Sequence, residues 1–210
     1  MNEITWHENS NQQNNYLARI IGIIGEEISE YWLKNEQNKQ YSNIGRPTIY
    51  WEEAGKNHRA TLDFLIQDKN GSVFIVEQKN FFAYNKGKLR TIEDSPEFKK
   101  AFSSWHRSKS KATAAWKIFN SFEKTKYEVK CNGDSYPNIS GRVLFWSEVQ
   151  PEAKSNFLEY MNEMHEVSYH DVIGLVQMVH DLKQWQDESF KRLVNERMNW
   201  SNQLFTSLLA

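Results

Sequence analysis

Apolar residues recur at helical spacing from Leu17 onward. Ile20, Ile21, Ile24, Ile28, Tyr31 and Trp32 predict an amphipathic helix over residues 16–34. Gly22 and Gly25 weaken it slightly, or let another element approach closely. Pro47-Thr48-Ile49-Tyr50-Trp51 reads as a strand with its proline at the start, where a strand tolerates it. Thr61–Gln67 and Ser72–Lys79 are two β-prone runs joined through Asp68-Lys69-Asn70-Gly71, the pattern of a hairpin. Both runs are apolar on both faces, as expected of interior strands with layers packed above and below.

Ser95-Pro96-Glu97 starts a helix, with serine at the cap, proline in the first turn and an acid just inside. Phe98, Phe102, Trp105, Ala112, Trp116 and Phe119 form its apolar stripe. A turn-rich stretch over 132–140 leads to a strand at Arg142–Trp146, and helices are expected over 152–164, 168–183 and 186–208. The order is helix, three strands, helix, strand, then a helical tail, which predicts an α/β fold with a mixed sheet flanked by helices. Residues 1–150 form the expected core, and 151–210 a C-terminal helical extension packed on it as a single domain.

The 210 residues carry 26 Lys+Arg against 27 Asp+Glu, yet the charge is unevenly placed. Between Lys79 and Lys130, thirteen basic residues stand against five acidic ones, and the rest of the chain offsets this excess of eight. Such a block is either a surface that meets a polyanion or a solvated lysine face. The single cysteine, Cys131, excludes a disulfide framework and fits a reducing, cytoplasmic compartment. No window is apolar enough for a membrane span, and the first residues lack the pattern of a signal peptide. No paired-histidine zinc motif and no phosphate-binding glycine loop is present, so neither zinc hydrolysis nor a nucleotide cofactor is expected.

Three ionisable residues sit in strands that otherwise read as core: Asp63, Glu77 and Lys79. Buried charges are paired or bind metals. Two hard carboxylate ligands suit Mg²⁺, which retains waters and accepts a substrate phosphate, while an ammonium orients water or stabilises transition-state charge. The bland reading of the same three residues is a structural salt bridge at a sheet end.

Asp63, thirteen intervening residues, then Glu77-Gln78-Lys79 across a hairpin resembles the PD-(D/E)XK nuclease superfamily, the restriction-endonuclease-like fold. The resemblance covers about residues 16–147 and implies an αβββαβ core. It departs from the family at position 62, where the eponymous proline is leucine. It implies Mg²⁺ (with Mn²⁺ able to substitute) at Asp63, Glu77 and the carbonyl of Gln78, with Lys79 placing the nucleophilic water. The family often adds an acid from the first helix. Glu26 and Glu27 are the candidates, and a helical wheel favours Glu27, beside Ile20, Ile24 and Tyr31. The implied activity is DNA endonuclease, of the type II restriction kind, acting as a homodimer on duplex DNA, with residues 151–210 serving dimerisation or target recognition. Alternatives are a structure-specific repair nuclease and a non-catalytic nucleic-acid-binding module. Lys86, Lys88, Arg90, Lys99, Lys100, Arg107, Lys109 and Lys111 are the expected nucleic-acid contacts.

This reading makes one geometric demand. A two-residue Asn70-Gly71 turn would set Asp63 opposite Gln78 and turn it away from Glu77. A three-residue loop with Gly71 left-handed pairs 68 with 72 and sets Asp63 opposite Glu77.

Overall fold

The computed structural model describes residues 10–80, 82–83, 88–89, 91–109, 114–122, 126–165 and 169–209. Helix α1 (Ser10–Lys34) comes first, and β1 (Tyr41–Gly45), β2 (Thr48–Glu53), β3 (Lys56–Thr61), β4 (Phe64–Asp68) and β5 (Val73–Lys79) follow. Short strands β6 (Phe82–Ala83), β7 (Lys88–Leu89) and β8 (Thr91–Ile92) lead to α2 (Pro96–Lys109) and α3 (Ala114–Ser121). Next come β9 (Tyr127–Cys131), β10 (Asp134–Ser135), β11 (Ile139–Trp146) and β12 (Glu148–Val149). The chain ends in α4 (Lys154–His165), β13 (Tyr169–Gly174), α5 (Leu175–Gln184) and α6 (Glu188–Leu209).

The main sheet has the order β1-β4-β5-β11-β13. Its β1/β4 and β4/β5 pairs are antiparallel, while β5/β11 and β11/β13 are parallel. Side chains alternate across it, so each face builds its own core. On one face Phe64, Ile66, Phe74 and Val76 pack with Ile28 and Trp32 of α1, Met178 and Leu182 of α5 and Phe190 of α6. On the other, Leu65, Ile75 and Leu144 pack with Phe102 of α2, Trp116 and Phe119 of α3 and Phe157 of α4. This mixed sheet between helical layers is the α/β class expected.

A second, four-stranded sheet, β10-β9-β2-β3, leans on the α2–α4 side. Its β2–β3 hairpin turns through Ala54 and Gly55, both at positive φ (54° and 72°), the primed turn that matches strand twist.

The structure corrects the element assignment in four places. The expected strand over 47–51 lies in β2 of the second sheet, and the edge of the main sheet is instead β1. The run 61–67 is two strands, broken at Leu62-Asp63 where the chain passes from one sheet to the other; Leu62 is fully buried and donates its N–H to the Pro47 carbonyl at 3.1 Å. The helix expected from residue 95 is α2 and α3. Finally, the helix expected over 168–183 begins as β13, which joins the main sheet through five aligned pairs with β11. Tertiary pairing overrides local periodicity there. The residues after 150 therefore supply the edge strand β13 of the main sheet besides helices, and they pack with the residues before them. Among the described residues no helix is long and apolar enough to cross a membrane.

Candidate active site

The site is assembled by the turn between β4 and β5. Asp68 Oδ1 accepts the N–H groups of Asn70 (2.8 Å) and Ser72 (2.9 Å), and Gly71 takes a φ of 85°. The Asp68 N–H reaches the Ser72 carbonyl at 3.0 Å, so 68 faces 72 across a three-residue loop. The ladder keeps that register to Phe64↔Val76. One step further in the same register would set Asp63 across from Glu77, as the three-residue loop predicts. There the regular pairing ends, and Asp63 Oδ2 accepts the N–H of Gln78 at 2.6 Å.

Glu77 and Lys79 stand at the carboxyl end of β5, where Lys79 is in register with Trp146 of parallel β11. Ligand sites of open α/β sheets lie outside the carboxyl ends of their strands. Glu77 is 3% exposed. Burial pushes its carboxyl up to about 7; the Lys79 ammonium opposes the shift, and the charges of Asp63 and Glu26 add to it. Lys79 Nζ donates to Glu77 Oε1 and, at 3.1 Å, to the Gln78 carbonyl. It also lies 5.6 Å from the centroid of the fully buried Trp116 ring, a cation–π contact.

A third carboxylate comes from α1. Of the two candidate acids, Glu26 is the one that shares an arginine with Asp63. Arg46, between β1 and β2, reaches Glu26 Oε2 at 3.4 Å and Asp63 Oδ1 at 3.5 Å. Burial raises the Glu26 pKa, Asp63 raises it further, and Arg46 and Lys79 lower it. Glu27 is paired instead with Arg197 of α6. The two acids, Asn43, Arg46 and Asp63 line a cavity of about 350 Å³.

Gln78 projects to the opposite face of β5, against α1. A Cβ on Gly25 would fall 1.8 Å from Asn80 Nδ2 and 2.9 Å from Gln78 Nε2, so the glycine allows this close approach. Among the described residues, both amide atoms of Gln78 and of Asn80 are buried without a hydrogen-bond partner, as is Glu77 Oε2. Unspent polar atoms thus gather around this strand end.

The donor set suits a hard divalent cation: two carboxylates and a carbonyl, with the free Glu77 Oε2 among them. Glu77 Oε1 and the Gln78 carbonyl already share one cation, the Lys79 ammonium. Among the described residues no three carboxylate, imidazole or thiol groups converge closely enough to enclose a metal.

The expected nucleic-acid contacts divide. Lys99 is ion-paired with Asp94 at 3.2 Å, and Lys100 is exposed on α2. Lys86, Arg90 and Lys111, and the side chains of Lys88, Arg107 and Lys109, lie outside the described residues. Sequence reading did not single out Arg46, Trp116 as a partner of Lys79, or Asn80. Arg46 stands beside Gly45, a weak signal of a constrained loop. Trp116 was legible only as core.

The chain matches no family model, no curated protein and no solved structure.

Proposed function

We propose that the protein is a Mg²⁺-dependent endonuclease that hydrolyses DNA phosphodiester bonds, of the PD-(D/E)XK kind and most simply a type II restriction enzyme. One observation supports this reading above the others: the β4–β5 register reaches Phe64↔Val76, one step short of Asp63 and Glu77, and Lys79 is bonded to Glu77 and to the Gln78 carbonyl. The element order α1, β1, β4, β5, α2–α3, β11 also agrees with an αβββαβ core into which β2–β3 is inserted.

Asp63, Glu77 and the Gln78 carbonyl would hold the Mg²⁺. When bound, the ion supplies charge neutralisation at the phosphodiester and a more acidic water. Lys79, kept in place by Glu77 and the Trp116 ring, orients the attacking water by its remaining donor capacity. Glu26 supplies a further carboxylate at the cluster's edge. The buried floor restricts solvent and strengthens these interactions. Duplex cleavage with one site per strand implies a homodimer.

The Lys79–Glu77 pair also favours a second reading, a binding module in which the triad is a salt-bridged remnant. Cleavage of mixed plasmid DNA by wild type, Glu77→Ala and Lys79→Ala, each with Mg²⁺ and with EDTA, separates the two. Discrete fragments from wild type with Mg²⁺ alone are expected. A smear with the same dependence removes the restriction reading, and a folded protein that shifts DNA in EDTA and cuts nothing removes the nuclease.

A further inference from the structure

We infer that Arg46 is a substrate-contacting residue: it bridges Glu26 and Asp63 and turns to the phosphodiester when a divalent cation takes the Asp63 carboxylate. This rests on the nuclease reading and deepens it.

The backbone of Arg46 is fixed and its side chain is not. Gly45 before it has a φ of 150°, and a Cβ there would lie 2.7 Å from Cys131 Sγ; Pro47 after it is buried. The Arg46 side chain is 58% exposed and lines the 350 Å³ cavity. Its two ion-pair distances, 3.4 and 3.5 Å, are well beyond the 2.7–2.9 Å of a tight charge-assisted bond. One nitrogen is spent on each of two carboxylates, so neither contact has the parallel two-bond geometry a guanidinium prefers. Asp63 already spends its other oxygen on the Gln78 N–H.

The charge balance gives this loose hold a purpose. The carboxylates of Glu26 and Asp63 outweigh the Arg46 cation they share by one negative charge, which repels a phosphodiester. A divalent cation reverses that to one positive charge, and a phosphodiester neutralises it. Without Arg46 the metal-loaded site is neutral and loses its net attraction. The released guanidinium fork matches two phosphate oxygens, and its exposure allows the swing.

Two measurements on Arg46→Ala and Arg46→Lys test the inference. Calorimetric titration with Mg²⁺ in the absence of DNA should show Arg46→Ala binding up to about fivefold more tightly, because a competing cation is gone. DNA affinity in Mg²⁺, measured in a Lys79→Ala background to prevent cutting, should fall by roughly tenfold or more in Arg46→Ala, with partial recovery in Arg46→Lys. If wild type binds Mg²⁺ and cleaves DNA while Arg46→Ala changes neither affinity, this inference is wrong and the nuclease reading stands. If wild type binds no Mg²⁺ and cuts nothing, the nuclease reading fails and this one with it. Thermal melting confirms that each variant is folded.

Discussion

The Lys79 ammonium rests 5.6 Å from the centre of the Trp116 ring, joining α3 to the polar end of β5. Burial of the ring and placement of the charge are thus one feature. Trp116→Leu should destabilise by about 2–4 kcal/mol through lost packing, and Trp116→Phe by less. The pair adds its own term: a Lys79→Met/Trp116→Leu double-mutant cycle, read by urea unfolding, should show a coupling of about 0.5–2 kcal/mol. Additive single mutants would mean that the ring merely fills space.

Glu77 makes stability depend on pH. Burial lifts its carboxyl from the ordinary 4.5 to about 7, so the folded state keeps a proton that the unfolded chain has released. Its contribution is fully present below pH 4.5 and is lost as pH rises to about 7. Glu77→Gln should therefore be the more stable protein above pH 7, by on the order of 1–3 kcal/mol, with the advantage closing toward pH 4.5. Urea titrations at three pH values check this. A constant difference across the range would mean that Glu77 is charged in the fold throughout.

The two neighbouring acids of α1 should separate cleanly. Glu26→Gln is expected to slow Mg²⁺-dependent cleavage, because Glu26 shares Arg46 with Asp63. Glu27→Gln should leave cleavage intact and loosen only the Arg197 contact to α6, worth at most about 1 kcal/mol for a part-exposed pair. Parallel rate and melting measurements decide, and the reverse pattern would restore Glu27 as the site acid.

The two glycines of α1 should also differ. A Cβ on Gly22 meets nothing within 4 Å, so Gly22→Ala should gain about 0.5–1 kcal/mol of helix stability. At Gly25 the same methyl collides with the Asn80 amide. Gly25→Ala should show no gain alone and should recover one when combined with Asn80→Ala. Equal gains at both positions would show that the Asn80 amide moves aside freely.

A chain ending at Gln150 should not fold. It loses β13, the α4 and α5 packing and the partners of the fully buried Trp146 and Leu144. Circular dichroism and gel filtration of that truncation should show a collapsed or aggregated species, whereas a cooperative unfolding transition would support an independent N-terminal core.

Much of the site was legible because it is local. The joining stretch Asp68-Lys69-Asn70-Gly71, Gly71 as the left-handed residue and the thirteen-residue interval between Asp63 and Glu77 lie within one hairpin, and turn chemistry fixes its register. The paired charges inside apolar strands announced themselves for the same reason, since burial requires partners.

What the sequence determined by itself, then, is the class of the fold, the β4–β5 hairpin and the acid–acid–ammonium set on it. Only the tertiary structure decided the rest. β13 is a strand because β11 offers it a parallel edge, although its residues continue a helical stripe. Glu26 shares Arg46 with Asp63 while Glu27 pairs with Arg197, because α6 lies beside α1. Arg46 reaches Asp63 from seventeen positions away because β1 pairs with β4. Each of these depends on which distant surface arrives at a given side chain. A helical wheel or a strand period describes the segment's own faces, and the free energy of burying one against a remote partner is absent from both.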